Sequence, residues 1–66
     1  MPSYRLYCLD GGGRIGFADW VEAETDDGAI AQARLLKADA HKCEVWLEKR
    51  LVAKISPEGR LERVKP

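Results

Sequence analysis

Residues 4–10, YRLYCLD, crowd aromatic and aliphatic side chains into a short run that ends at Asp10 and three glycines, as a strand entering a turn does. Past the glycines, Ile15 and Phe17 alternate with Arg14, Gly16 and Ala18, and Val21 and Ala23 alternate with Trp20, Glu22 and Glu24. The phase puts Ile15, Phe17, Val21 and Ala23 on one face and leaves Asp19 as an intruder, which a bulge near that residue would absorb. Phe17, Trp20, Val21 and Glu24 also fit helical spacing, so 17–24 has a competing reading as a short helix. The strand is preferred, because Gly16 starts a helix poorly and a stronger helix signal follows at once.

That signal is TDDGAIAQARLLKAD, residues 25–39. Thr25 is a capping residue, Asp26 and Asp27 set negative charge beside the positive end of the helix dipole, and an alanine-rich run follows. Ala29, Ile30, Ala33, Leu36 and Ala40 share one stripe of the helical wheel. The stripe is mostly small, which predicts a helix lying close on a sheet that supplies the bulk.

The remainder reads as a second hairpin. Cys43, Val45 and Leu47 alternate with Glu44, Trp46 and Glu48, and Leu51, Ala53 and Ile55 alternate with Val52, Lys54 and Ser56. A loop at Glu48-Lys49-Arg50 would set Leu47 opposite Leu51, Val45 opposite Ala53 and Cys43 opposite Ile55. SPEG, residues 56–59, has turn residues where a type I turn wants them. The sequence therefore predicts an α+β domain of order β-β-α-β-β. A right-handed crossover returns the third strand beside the first and gives a four-stranded antiparallel sheet of order 2-1-3-4, with one helix packed on one face. Residues 1–59 form this single domain, and 60–66 are expected as a charged tail that frays.

Length changes the picture. A chain of 66 residues buries only about 60 % of the surface that its unfolded form exposes, so its stability margin is thin. Eleven basic residues cancel eleven acidic ones. Nucleic-acid binders carry a basic excess, so single-stranded nucleic acid on sheet aromatics is not the expected ligand. No stretch is long and apolar enough for a signal peptide or a membrane span, and the expected location is the cytoplasm, with no membrane partner. There the two cysteines would be reduced thiols.

Chemistry is sparse. Gly11, Gly13 and Gly16 match the spacing of a dinucleotide-binding loop, but that loop works between a strand and a helix in a parallel sheet. Here a returning strand follows, so Asp10-Gly11-Gly12-Gly13 reads as a hairpin turn and no cofactor is implied. Cys8 and Cys43 fall close together if the first and third strands pair, with His41 on the same side and Asp10 near. Thiolate and imidazole are what zinc prefers, so Cys8, Cys43 and His41 form a candidate thiol or metal site. Against it, three good ligands are on offer where a structural site takes four, and cysteines in a reduced core serve as small apolar fillers. His41 is the only histidine, and a general base needs both an orienting partner and a substrate cleft, for which a single sheet with one helix leaves little room, so no catalytic residues are assigned and the chain is not expected to be an enzyme.

Trp46, Val52 and Trp20 carry the stronger expectation. If Cys43, Val45 and Leu47 face the helix, Trp46 and Val52 face away and pair across the hairpin. One phase of the first strand, Tyr4/Leu6/Cys8 or Arg5/Tyr7/Leu9, must join them. Such aromatic anchors are enriched where interfaces bind strongly.

Taken whole, Tyr4, Leu6, Asp10, Gly13 and Ile15, the helix residues Ala29, Ile30 and Ala33, and Trp46, Val52, Ala53 and Ile55 resemble a group of short uncharacterised bacterial proteins. The resemblance implies the same β-β-α-β-β outline and brings no activity or substrate. The expected function is that of a non-enzymatic interaction module. It would form a homodimer, or dock on another protein, through the helix-free face of its sheet, with Trp46 and Val52 as anchors and Trp20 at the periphery.

Overall fold

A computed structural model describes residues 2–36 and 41–64. Five strands and one helix follow in the order β1 (Ser3–Leu9), β2 (Ile15–Glu22), α1 (Asp26–Leu36), β3 (Lys42–Leu47), β4 (Arg50–Ile55) and β5 (Leu61–Arg63). They build one antiparallel sheet of order β2-β1-β3-β4-β5, with α1 on one face against β2, β3 and β4. The α+β class and the placing of β1 between β2 and β3 agree with the pattern. The four-strand count does not.

The fifth strand is the segment expected to fray. Ile55 pairs with Leu61, Lys54 with Glu62 and Ala53 with Arg63, and the Val64 amide donates to the Val52 carbonyl at 3.0 Å. Leu61 packs against the core and Arg63 forms an ion pair with Asp27, so both side chains have a reason to stay.

The 10–14 segment is a hairpin turn. Asp10 donates its amide to the Arg14 carbonyl at 2.8 Å, and its carboxylate oxygen accepts from the Gly12 and Arg14 amides at 2.9 and 3.0 Å. Gly13 has φ 81°, a conformation that costs glycine little. Residues 17–24 are not helical: Ile15–Glu22 is a strand, in unbroken register with β1 from Ser3↔Glu22 to Cys8↔Phe17. The bulge expected at Asp19 sits instead at the turn end, between Cys8 and Leu9, where Leu9 pairs with Ile15. Asp19 needs no bulge because its side chain is exposed on the outermost strand. Its carboxylate oxygen accepts the amide of Trp20 at 2.8 Å.

Thr25 caps α1 through its hydroxyl, which accepts the Gly28 amide at 3.1 Å. Ala29, Ile30 and Ala33 are buried as the stripe predicts, Leu36 is not, and Ala40 lies outside the described residues. The bulk comes from the sheet: Tyr4, Leu6, Val21, Val45 and Ile55 are almost wholly buried under the helix.

The second hairpin departs from expectation. Its turn is Glu48-Lys49, with Glu48 at φ 54°, so Leu47 pairs with Arg50 and Trp46 with Leu51. Val45 still meets Ala53 and Cys43 meets Ile55, as predicted, so β4 must take up one extra residue between them. That residue is Val52. A bulge turns neighbouring side chains to the same side, and Val52 and Ala53 are both core residues.

Candidate functional site

The registers lay out the helix-free face in rows. Trp20, Arg5, Trp46 and Leu51 cross four strands side by side, and Ala18, Tyr7, Glu44, Lys54 and Glu62 cross all five. The β1 phase on this face is thus Arg5/Tyr7/Leu9, because Tyr4, Leu6 and Cys8 are buried on the other.

Three aromatics and a guanidinium define one end of the face. Arg5 lies 4.5 Å from the ring centre of Trp20 and 5.5 Å from that of Tyr7, within cation–π range of both. Trp46 donates its indole N–H to a carboxylate oxygen of Glu44 at 3.1 Å. Ser3, Arg5, Tyr7, Trp20 and Glu48 line a shallow depression of about 400 Å³. Trp20 is 60 % exposed. The Arg5 guanidinium thus lies over the Trp20 ring on an exposed part of the sheet.

Of the three predicted anchors, the structure brings Trp20 and Trp46 to the two sides of Arg5 and removes Val52 to the core. Leu51 takes its place opposite Trp46. Of the two β1 phases that the alternation left open for this face, the structure selects Arg5/Tyr7/Leu9, so Arg5 and Tyr7 join the tryptophans.

The second candidate group is brought together differently from the expectation. Cys8 and Cys43 stand directly opposite on β1 and β3 with Cα atoms 4.0 Å apart, and they are disulfide-bonded rather than reduced. Directly opposite residues on adjacent antiparallel strands approach this closely only at the narrow, non-hydrogen-bonded pairs. Both sulfurs are fully buried. Bonded to each other, they offer zinc no thiolate, and Asp10 is occupied by its own turn. Among the described residues no three His, Cys, Asp or Glu side chains gather as metal ligands. His41 is half-buried just before β3.

A polar cluster that the sequence reading missed ties the helix start to the sheet. The carboxylate of Asp26 accepts the Tyr4 hydroxyl at 2.7 Å and a two-pronged Arg50 guanidinium at 3.2 and 3.3 Å. Hydrogen bonds from Arg50, and next from Tyr4, hold the Asp26 carboxyl below the usual carboxylate value. Burial, and next the bond to Asp26, raises the Tyr4 phenol. With both donors engaged, this carboxylate is a strut and not a free base.

The signs give a pH prediction. A depressed carboxylate stabilises the fold above its unfolded pKa, and that part is lost as pH falls through the folded one. A raised phenol stabilises below its unfolded pKa, and that part is lost as pH rises through the folded one. Urea midpoints should therefore drop at both extremes, with Asp26→Asn flattening the acid limb and Tyr4→Phe the alkaline limb. The Asp26 and Arg50 side chains are 37 % and 39 % exposed, so water screens the pair and the acid effect should stay within about 1 kcal/mol. Unchanged limbs in both variants would show that other groups govern the titration.

Among the described residues no helix is long and apolar enough to cross a membrane. Compared with family models, curated proteins and solved structures, the chain matches none of them.

Proposed function

We propose that this chain is a non-enzymatic protein-interaction module whose binding surface is the helix-free face of its sheet, and whose first partner is a second copy of itself. The observation that carries the reading is the row Trp20–Arg5–Trp46, with Tyr7 beside it, on a face that the helix leaves uncovered. Aromatic residues and arginine are the side chains most often found at the energetic centres of interfaces. A small domain also gains from covering apolar surface on its second face. Charge permits self-contact at this end of the face, where Arg5 shares its depression with Glu48, so two copies meet there without net repulsion.

Sedimentation equilibrium over a wide concentration range tests the reading. The wild-type chain should dimerise. Trp46→Glu, which desolvates a carboxylate at the centre of the row, should weaken the dimer at least about tenfold, or roughly 1.4 kcal/mol. Its far-ultraviolet circular dichroism should stay unchanged, because Trp46 lies outside the core. A clean monomer at every concentration, or a variant that associates like wild type, would refute self-association through this face.

A further inference from the structure

At the opposite end of the same face, Lys42, Lys54, Ser56, Arg60 and Glu62 surround a cup of about 180 Å³ beside Ile55 and Pro57. The chain as a whole is neutral. Here three cations meet a single carboxylate. The ion pairs among the described residues are Arg50–Asp26 and Arg63–Asp27, so no carboxylate of a described residue lies within 4.0 Å of any of the three. Glu44 and Glu62 flank Lys54 across the strands without closing on it.

The rim of the cup is a built turn. Ser56 donates its amide to the Arg60 carbonyl at 2.9 Å, while its hydroxyl oxygen accepts the Arg60 amide at 2.9 Å. The Gly59 amide closes the turn on the Ser56 carbonyl at 2.9 Å, with Gly59 at φ 93°. These bonds fix Ser56 and Arg60 relative to each other, and the Ser56 hydroxyl keeps its proton for another acceptor. Lys54 and Lys42 enter from the adjacent strands β4 and β3.

We propose that this cup binds a phosphate-sized dianion, with Arg60 as the planar fork, Lys54 and Lys42 as point charges and the Ser56 hydroxyl as a neutral donor. Two excess positive charges match a dianion better than a monocarboxylate. The fork geometry of arginine matches phosphate oxygens. Organic ligands of drug size occupy sites of about 300 Å³ or more, so the small volume selects an ion or a single anionic group. The inference does not depend on self-association: its residues are separate from the Trp20–Arg5–Trp46 row.

The test is an amide nitrogen–proton NMR titration with sodium phosphate, with ionic strength held constant by sodium chloride. Saturable shifts should appear at Lys54, Ser56, Gly59 and Arg60, and sodium acetate should produce weaker ones. Lys54→Met and Arg60→Met should each weaken phosphate binding about fivefold, the effect of one unit charge at contact distance in water. Both side chains lie outside the core, so the variants should keep the fold. Trp46→Glu should bind phosphate as wild type does, which separates this site from the dimer face. A parallel titration with O-phosphoserine separates the sources: tighter binding than inorganic phosphate assigns a phosphomonoester group, and weaker binding assigns the free ion. Shifts that rise linearly without saturating, or wild-type affinity for phosphate in Lys54→Met and Arg60→Met, would overturn the proposal.

Discussion

Reducing the Cys8–Cys43 bond should lower the melting temperature by on the order of 15 °C, the largest change that any single treatment is expected to produce. The bond joins residues 35 positions apart and closes a loop that contains the first turn, β2 and the whole helix. Freeing a loop of that length returns about 3–4 kcal/mol of chain entropy to the unfolded state. A 66-residue domain has only about 3–10 kcal/mol in total, so the reduced form should sit near the edge of folding. Thermal melts with and without a thiol reductant measure this, and thiol titration in denaturant verifies the starting state. Reduction is the cleaner probe, because Cys8→Ala would also open a void in a fully buried site. A melting temperature unmoved by complete reduction would show that strand pairing alone holds these ends together. The bond also sets compartment against stability. A reducing cytoplasm, the location expected from the sequence, would withhold the very crosslink that this domain gains most from.

Leu6→Ala should cost about 3 kcal/mol, within the usual span for a buried leucine. Leu6 is fully buried on β1, between Asp19 of β2 and Val45 of β3. The helix stripe above the sheet is largely alanine, so the helix has little bulk with which to fill the void. Cavities that cannot close are the costly ones. Leu35→Ala serves as the matched control, since Leu35 is 87 % exposed on the outer face of α1 and should change stability by less than about 0.5 kcal/mol. Urea unfolding gives both values. Equal losses at the two leucines would mean that the sheet-facing layer is not where the stability resides.

What could be read from the chain was whatever depends on local period or residue type. The alternation in β1 and the Cys43↔Ile55 and Val45↔Ala53 pairs follow a two-residue beat, and the Thr25 cap and the glycine turn are marked by residue types that act within a few positions of themselves. Features set by distant partners escaped. Leu61–Arg63 is too short and too charged to announce a strand, and it becomes one because β4 offers a free edge and Asp27 offers Arg63 a counter-charge. Val52 was assigned to the open face because strict alternation puts it there. A bulge between two apolar residues leaves no polar marker, so nothing in the string flags the slip. Asp19 misled in the other direction. On an edge strand the side turned toward the helix can still be wet, so a charge there needs no irregularity.

The same aspartate has a consequence beyond this molecule. β2 is the long outer strand of the sheet, and it contains neither proline nor lysine, two of the usual deterrents to an incoming strand. Asp19 supplies another. By holding the Trp20 amide in its own carboxylate, it withdraws a main-chain donor that a foreign strand would use to align. It also presents a negative charge where a fibril would need a dry contact. In a crowded solution, one side-chain hydrogen bond thus helps to keep the outer edge of this sheet from recruiting a foreign strand.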